Sequence, residues 1–348
     1  MSSTKINEKH RTKYIFFAAM KDLQTLFEKI QSIKVGVVGD VMLDTYLWGV
    51  VDRISPEAPV PVVSVQSKEQ RIGGAGNVAL NIASLGAQPF ILTAIGKDDD
   101  GEKLKRLFDL HKIDTKYSIT TGKRITTNKI RVISRNQQMM RLDSEVTDDL
   151  DLEDQDLLLD SFKQLVTSEK PDVVILQDYN KGVLTTKLIE EIMVICKGNN
   201  ILTAVDPKRN NFLSYQGVDI FKPNLKEVRD ALNIITSDIT PQLLHNIHSQ
   251  LQQVLNHKVS FITLSEKGAF YKTIDAERII PGHVRNIADV SGAGDTVIAV
   301  AAMVYAASKD VDLMAEIANI AGGLVCEEVG TVAINRDKLI EECQSLLS

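Results

Sequence analysis

Strand-length apolar runs recur along this chain, and helical patterns separate most of them. The runs are KVGVVG at 34–39, PFILTAIG at 89–96, DVVILQD at 172–178, ILTAVDP at 201–207, DIFKPN at 219–224 and VSFITLS at 259–265. A strand, a helix and another strand in turn build parallel units, so the pattern predicts a three-layer α/β/α sandwich. Ligands in such sheets bind beyond the carboxyl ends of the strands. Asp40, Asp178, Asp206 and Asn224 each stand just after an apolar run, which puts four polar groups on one edge. The first run reads as a buried strand that leaves into a loop at Gly39 and Asp40.

Two stretches break the rhythm. APVPVVSVQSKEQRI (58–72) and SITTGKRITTNKIRVISRNQQMMRLD (118–143) alternate residue types with period two and carry no helix between their halves. That is the habit of exposed antiparallel strands. They predict a small β-sheet lid protruding from the main body, with strands drawn from about 45–72 and 115–143. A flat exposed sheet has edges and faces to cover, so the lid is also expected to pair two subunits in a homodimer. The organisation expected is an N-terminal extension and leading helix over 1–33, followed by one domain over 34–348. Residues 1–19 read as a loose extension, and Met20 could serve as a start.

The chain has 348 residues, 44% hydrophobic and 25% charged, enough for a large core. A net charge of −6 gives no electrostatic case for nucleic acid or an anionic membrane. No stretch approaches the roughly 20 apolar residues of a membrane span. Cys196, Cys326 and Cys343 are far apart and odd in number, reading as reduced thiols in the cytoplasm. His245 and His248 lie a helical turn apart with no third ligand nearby, and read as a solvated face rather than a metal site. DDLDLEDQD lacks the glycine and terminal glutamate of a calcium loop.

DVSGAGDT, residues 289–296, carries the sharpest chemistry. Gly292, Ala293 and Gly294 leave their N–H groups open at a helix N-terminus, where an anion is favoured. A carboxylate there cannot bind the anion. Asp295 makes sense as the base that takes a proton from an attacking hydroxyl while the helix holds a phosphoryl group. An N-capping aspartate after a tight turn would give the same letters. A second glycine cluster, GGAGNVALNIASLGA (73–87), offers Gly73, Gly74 and Gly76 for close approach to a backbone, and Asn77 as donor and acceptor for a hydroxyl.

Together the two clusters resemble the signatures of the PfkB family of carbohydrate kinases, which have the ribokinase-like fold. The resemblance runs from about Lys34 to the C-terminus and rests also on IGKDDDG (95–101) and KPNLKE (222–227). It implies Asp295 as catalytic base and Gly292, Ala293 and Gly294 as anion hole. Asn224 and Glu227 would organise Mg²⁺ through water, and Asp40, Asp44, Gly73, Gly74 and Asn77 would grip the sugar. Ser265, Glu266 and Gly268 would neighbour ATP, with Asn319 bordering the adenine. A monovalent-cation loop comes with the family, although Val290 stands where many members have a second hydroxyl residue.

GDVMLDTYLWG, RISPEAPVPVV, TNKIRVISRNQQMMRLD, DYNKGVL and DPK are similar to the members that phosphorylate D-glycero-β-D-manno-heptose 7-phosphate at O1, on the route to ADP-heptose. Such an acceptor brings a dianion, so basic residues are expected at the far end of the site: Lys181, Lys208, and Lys129, Arg131 and Arg135 along one face of a lid strand. Those kinases are often fused to a nucleotidylyltransferase bearing HxGH. The chain ends soon after the kinase pattern, so phosphorylation alone is expected. A dinucleotide oxidoreductase would need GxGxxG straight after the first strand, and GVVGDVMLD lacks it. A non-catalytic sugar sensor is disfavoured by the intact Asp295. A kinase for ribose, fructose 1-phosphate or adenosine stays open as the alternative.

Overall fold

A computed structural model describes residues 23–135, 137–236 and 238–347; residues 1–19, read as an extension, lie outside it. The chain starts with helix α1 (23–30), then strands β1 (Lys34–Gly39), β2 (Val41–Ile54) and β3 (Pro61–Gly74). Helix α2 (Ala75–Ser84) leads to β4 (Gln88–Leu92), β5 (Ala94–Gly96), α3 (Asp99–Leu110), β6 (Ile119–Thr121), β7 (Asn128–Ser134) and β8 (Gln137–Ser144). The body continues with α4 (Leu152–Glu169), β9 (Val173–Gln177), α5 (Thr186–Gly198), β10 (Leu202–Asp206), β11 (Ile220–Phe221), α6 (Leu225–Leu232) and α7 (Pro241–Leu255). It closes with β12 (Val259–Thr263), β13 (Ala269–Lys272), β14 (Glu277–Ile280), α8 (Ala293–Ser308), α9 (Val311–Val325) and α10 (Arg336–Leu346).

The main sheet has eight strands in the order β14-β13-β12-β11-β10-β9-β1-β4. From β12 to β4 all neighbours are parallel, and β13 and β14 are antiparallel additions at one edge. Strands β1 and β9 are almost wholly buried, as strands covered by helices on both faces must be. Each face has its own apolar core. One holds Val35, Val37, Ile175, Ala204 and Phe261 against α2, α8 and α9; the other holds Val38, Leu176, Val205 and Ile262 against α4, α5 and α7. Odd and even strand positions thus go to opposite layers, as the pleat dictates.

The lid is a four-stranded sheet, β3-β2-β7-β8. Three of its features differ from expectation. Only Asp40 separates β1 from β2, so the chain passes from body to lid with no loop. Strand β2 pairs with β7 in parallel, where antiparallel pairing was expected. Ile119–Thr121 does not join the lid but pairs with β5 beneath it. The outer part of the lid leaves Ile54, Val65, Met140 and Leu142 exposed.

The His245 and His248 expectation also needs correction. His245 pairs with Glu277 at 2.9 Å, but His248 is buried and shares the Ser260 hydroxyl (2.9 Å) with His257 (2.6 Å). Burial pushes both His248 and His257 down to about 4. Among the described residues no helix is long and apolar enough to cross a membrane. Cys196 and Cys343 are buried, Cys326 is half-buried, and all three are free thiols.

Candidate active site

The carboxyl edge of β1, β9, β10 and β11 meets the N-termini of α2 and α8, and Asp295 sits where they converge. Residues 292–295 form the start of α8: Gly292 caps it in the left-handed region at φ 80°, and no side chain caps the helix. A Cβ on Gly292 would stand 2.7 Å from Asn77 Nδ2, so only glycine lets the two helix starts meet. Asn77 Nδ2 donates to Asp295 Oδ2 at 2.9 Å, and Gln177 Nε2 and Tyr179 Oη donate to Oδ1 at 3.1 and 2.7 Å. Deeper between the helices, Thr296 donates to Asn81 and Asn81 to the Asn77 carbonyl.

Asp295 is 1% exposed, and that burial pushes its carboxyl up to about 7. The hydrogen bonds from Asn77 and Tyr179 oppose the rise, and the Asp206 charge adds to it. A carboxylate poised near neutrality and fixed by three donors, only one of them on Oδ2, is suited to accept a proton. Tyr179 is likewise driven well above its ordinary value by burial and by Asp295, and stays a donor.

Beside Asp295 lies a charged ring. Asp206, at the end of β10, accepts from Lys208 at 3.0 Å and pairs with the buried Lys222 at 2.9 Å. Burial works against the Asp206 charge, but the two lysines hold it below the ordinary carboxylate value. Lys208 reaches on to Glu227 at 2.6 Å, and despite burial Asp206 and Glu227 hold it above its usual value. A Cβ on Gly294 would stand 3.7 Å from Lys222 Nζ, so an ammonium adjoins the open end of α8. An anion there meets both helix N–H groups and a lysine.

Asn224 and Glu227 form a reciprocal cap on α6: Asn224 Oδ1 accepts from the Glu227 N–H at 2.9 Å, and Glu227 returns the favour at 2.8 Å. With Lys208 on its other oxygen, Glu227 is fully engaged. No group of three acidic, His or Cys side chains among the described residues is arranged to hold a metal directly. The donor set therefore fits an ion met through water rather than by direct ligation.

The acceptor side is built by the lid and the loop after β9. Asp40 is expected as a sugar ligand, but its oxygens accept the N–H groups of Tyr179 (2.8 Å), Lys181 (3.0 Å) and Val183 (3.0 Å). It anchors that loop, and burial with the nearby Asp178 raises its carboxyl to about 6. Gly73 and Gly74 likewise face protein: a Cβ on Gly73 would lie 2.3 Å from Asp44 Oδ2, and one on Gly74 would lie 2.3 Å from the Asp40 carbonyl. The glycines make room for the two aspartates. Asp44 is buried, paired with Arg131 at 2.5 Å and with the Thr331 hydroxyl at 3.4 Å.

Of the expected basic residues, Lys129, Lys181, Lys208 and Arg131 gather around this edge. Arg135 does not: it sits exposed in the β7–β8 turn at φ 47°, beyond the strand whose face it was expected to share. On the opposite flank, Ser265 and Glu266 are exposed in a short 3-10 turn, and Gly268 is buried at φ 94°. Asn319 on α9 donates to the Pro281 carbonyl at 3.0 Å. The loop it ties down lies between β14 and α8 and borders the same flank. A groove of about 500 Å³, lined by Arg71, Leu80, Leu107, Leu110, Thr331 and Val332, lies on the outer side of α2 and α3 and shares Thr331 with this site.

Sequence reasoning missed Gln177, Tyr179 and Lys222. Their signal was position: Gln177 ends a buried strand, Tyr179 follows it by two, and Lys222 interrupts a buried run without breaking it.

A buried carboxyl poised near neutrality at a helix start, beside open helix N–H groups and a buried lysine, fits a phosphotransferase that acts on an alcohol. The chain belongs to the pfkB family of carbohydrate kinases, whose model matches residues 32–338. It is 38% identical over 311 residues to the bifunctional protein HldE of Aliarcobacter butzleri, covering 89% of this chain and 64% of that protein. The chain thus spans less than two thirds of that relative. It also resembles phosphofructokinase-2 of Escherichia coli in complex with substrates and products, with a TM-score of 0.74, 18% identity and coverage of 91% and 99% of the two chains. For Arabidopsis thaliana ribokinase complexed with ribose and ATP the values are 0.69, 15%, 89% and 99%. The fold is ribokinase-like and the protein is an ATP-dependent sugar kinase.

Proposed function

We propose that the acceptor is a sugar already carrying a phosphate, D-glycero-β-D-manno-heptose 7-phosphate, and that O1 receives the γ-phosphoryl group of ATP. The observation that carries this is the cluster beside Asp40 in which Lys129 and Lys181 share Glu145 and Arg124 donates to the Lys181 carbonyl. An unphosphorylated sugar would have no use for three cations there. The likeness to proteins named HldE supports the same acceptor.

In this reading Asp295 Oδ2 takes the acceptor proton as the oxygen attacks phosphorus. The bond from phosphorus to the ADP oxygen breaks, and the start of α8 with Lys222 holds the charge on the moving group. Asn77, Gln177 and Tyr179 aim the carboxylate. Mg²⁺ would be met by Asn224 and Glu227 through water, where it offsets triphosphate charge. Ser265, Glu266, Gly268 and Asn319 would border the nucleotide. A monovalent cation near the 289–292 loop would be a further ligand, since Asp289 accepts from Ser291 and Gly330 and holds that loop.

The exposed apolar face of the lid, with Ile54, Val65, Met140 and Leu142, supports a homodimer through the lid sheet. Sedimentation at micromolar protein should show a dimer; a strict monomer refutes it. The acceptor is tested by ³¹P NMR of wild type with ATP and the heptose 7-phosphate. One new anomeric phosphate signal is expected alongside ADP, and no new sugar phosphate would overturn the reading.

A further inference from the structure

Glu145 follows directly on the last lid strand, β8, and lies between two lysines of different origin. Its Oε1 is 2.6 Å from Lys181 Nζ, in the body's loop after β9, and its Oε2 is 3.3 Å from Lys129 Nζ, on lid strand β7. All three side chains are mostly buried, with 20%, 14% and 14% exposed. Arg124 closes the group. Its guanidinium donates to the Lys181 carbonyl and, at 3.3 Å, to the carbonyl of Val146, next to Glu145. The Lys181 N–H in turn rests on Asp40, whose same oxygen accepts from Tyr179, the residue that bonds Asp295.

Lys129 and Lys181 thus share the Glu145 carboxylate, Lys129 also pairing with Asp143 at 3.2 Å, while Arg124 holds the backbone at Lys181 and Val146, at a place connected to the base but beyond it. The cavity lined by Asp40, Arg124, Thr126 and Lys181 holds about 10 Å³, room for roughly one water. A phosphate does not fit in that cavity as it stands, and the lysine charges beside it are taken up by Glu145.

We infer that Glu145 is the internal occupant of an anion subsite made by Lys129, Lys181 and Arg124, and that it sets acceptor specificity. An acceptor bearing a phosphate brings more charge than one carboxylate and displaces Glu145; an acceptor without it leaves the pair with Lys181 intact. Because Glu145 also joins lid to body, its displacement hands the lid's hold on Lys181 to the substrate. Discrimination then comes from a built-in competitor as well as from attraction. Acceptor specificity in this form rests on the sugar-phosphate reading, whereas the existence of the anion subsite does not.

The test uses the full chain and the variant Glu145→Gln. Inorganic phosphate, followed by thermal shift, is the probe, so the choice of sugar does not enter. Its apparent Kd should fall about tenfold in E145Q, within the usual range for coupling between competing charges, and the gain should vanish in the double variant E145Q/K181Q. The charge-preserving E145D should stay near wild type, and E145A serves in place of E145Q if that variant does not fold. In steady state, E145Q should lower KM for heptose 7-phosphate while leaving kcat and KM for ATP unchanged; a purely structural latch would shift KM for both substrates or depress kcat. Unchanged or weaker phosphate binding in E145Q overturns the inference and leaves the acceptor reading standing. A wild type that prefers an unphosphorylated sugar overturns the acceptor reading and the specificity role together.

Discussion

Asp295→Asn should make the protein inactive and more stable at once. Burial raises the carboxyl from an ordinary 3.8 to about 7. Below about pH 4 both folded and unfolded chains hold the proton. Between there and about 7 the folded chain keeps a proton that the unfolded chain has released, so stability falls as pH rises across that window. At about 1.4 kcal/mol per pH unit, a gap of roughly three units costs about 4 kcal/mol above neutrality. The amide of D295N carries no charge, but it turns one acceptor into a donor facing Asn77, Gln177 and Tyr179, and rearranging those bonds returns about 1–2 kcal/mol. The net gain at pH 8 is about 2 kcal/mol, a rise in Tm of a few degrees. Scanning calorimetry of both proteins from pH 4 to 8 reads this, and the difference in Tm should open as pH rises. Turnover should drop by at least about 10²-fold with ATP binding nearly intact. A variant less stable than wild type at pH 8, or a difference independent of pH, refutes the electrostatic reasoning. Near-wild-type turnover removes Asp295 from the chemistry.

Tyr179→Phe removes the 2.7 Å hydrogen bond to Asp295. A bond to a charged group is worth about 1.5–3 kcal/mol, so the acid limb of kcat/KM, expected near pH 7 in wild type, should move up by about 1–2 pH units; a limb that stays in place contradicts this role. Lys181→Ala should raise KM for the sugar phosphate several-fold and leave KM for ATP little changed, the pattern of lost ground-state binding. Equal effects on both substrates would point to a collapsed loop instead.

Much of the layout is local and therefore readable. Apolar runs of strand length separated by helices leave few choices but a parallel sheet, and Asp206 and Asn224 stand at its carboxyl edge because strand ends fix them there. DVSGAGDT places Asp295 on the first turn of a helix by letters alone. What the letters do not carry is partnership across the fold. Asp40 and a sugar-gripping aspartate look the same in sequence, and only the return of residues 179–183 shows that this carboxylate holds a loop. Gly73 and Gly74 announce a close approach without naming the approaching group, which proves to be protein. Ile119–Thr121 carries the alternation of a lid strand, yet its nearest free edge is β5. Arg135 has the right spacing for the face of Lys129 and Arg131, but the strand ends at Ser134. Tyr179 and Lys222 are ordinary letters whose roles come from what lies opposite them.

Asp295 in this site is proposed to serve the phosphorylation of a sugar that already bears a phosphate. The most direct measurement is kcat/KM of the wild type with ATP against heptose 7-phosphate, fructose 1-phosphate, fructose 6-phosphate, ribose and adenosine under one set of conditions. Heptose 7-phosphate should come first, with ribose and adenosine far behind. If ribose or adenosine were clearly the best acceptor, the three cations beyond Asp40 would have no phosphate to meet, and the assignment of the acceptor would be contradicted.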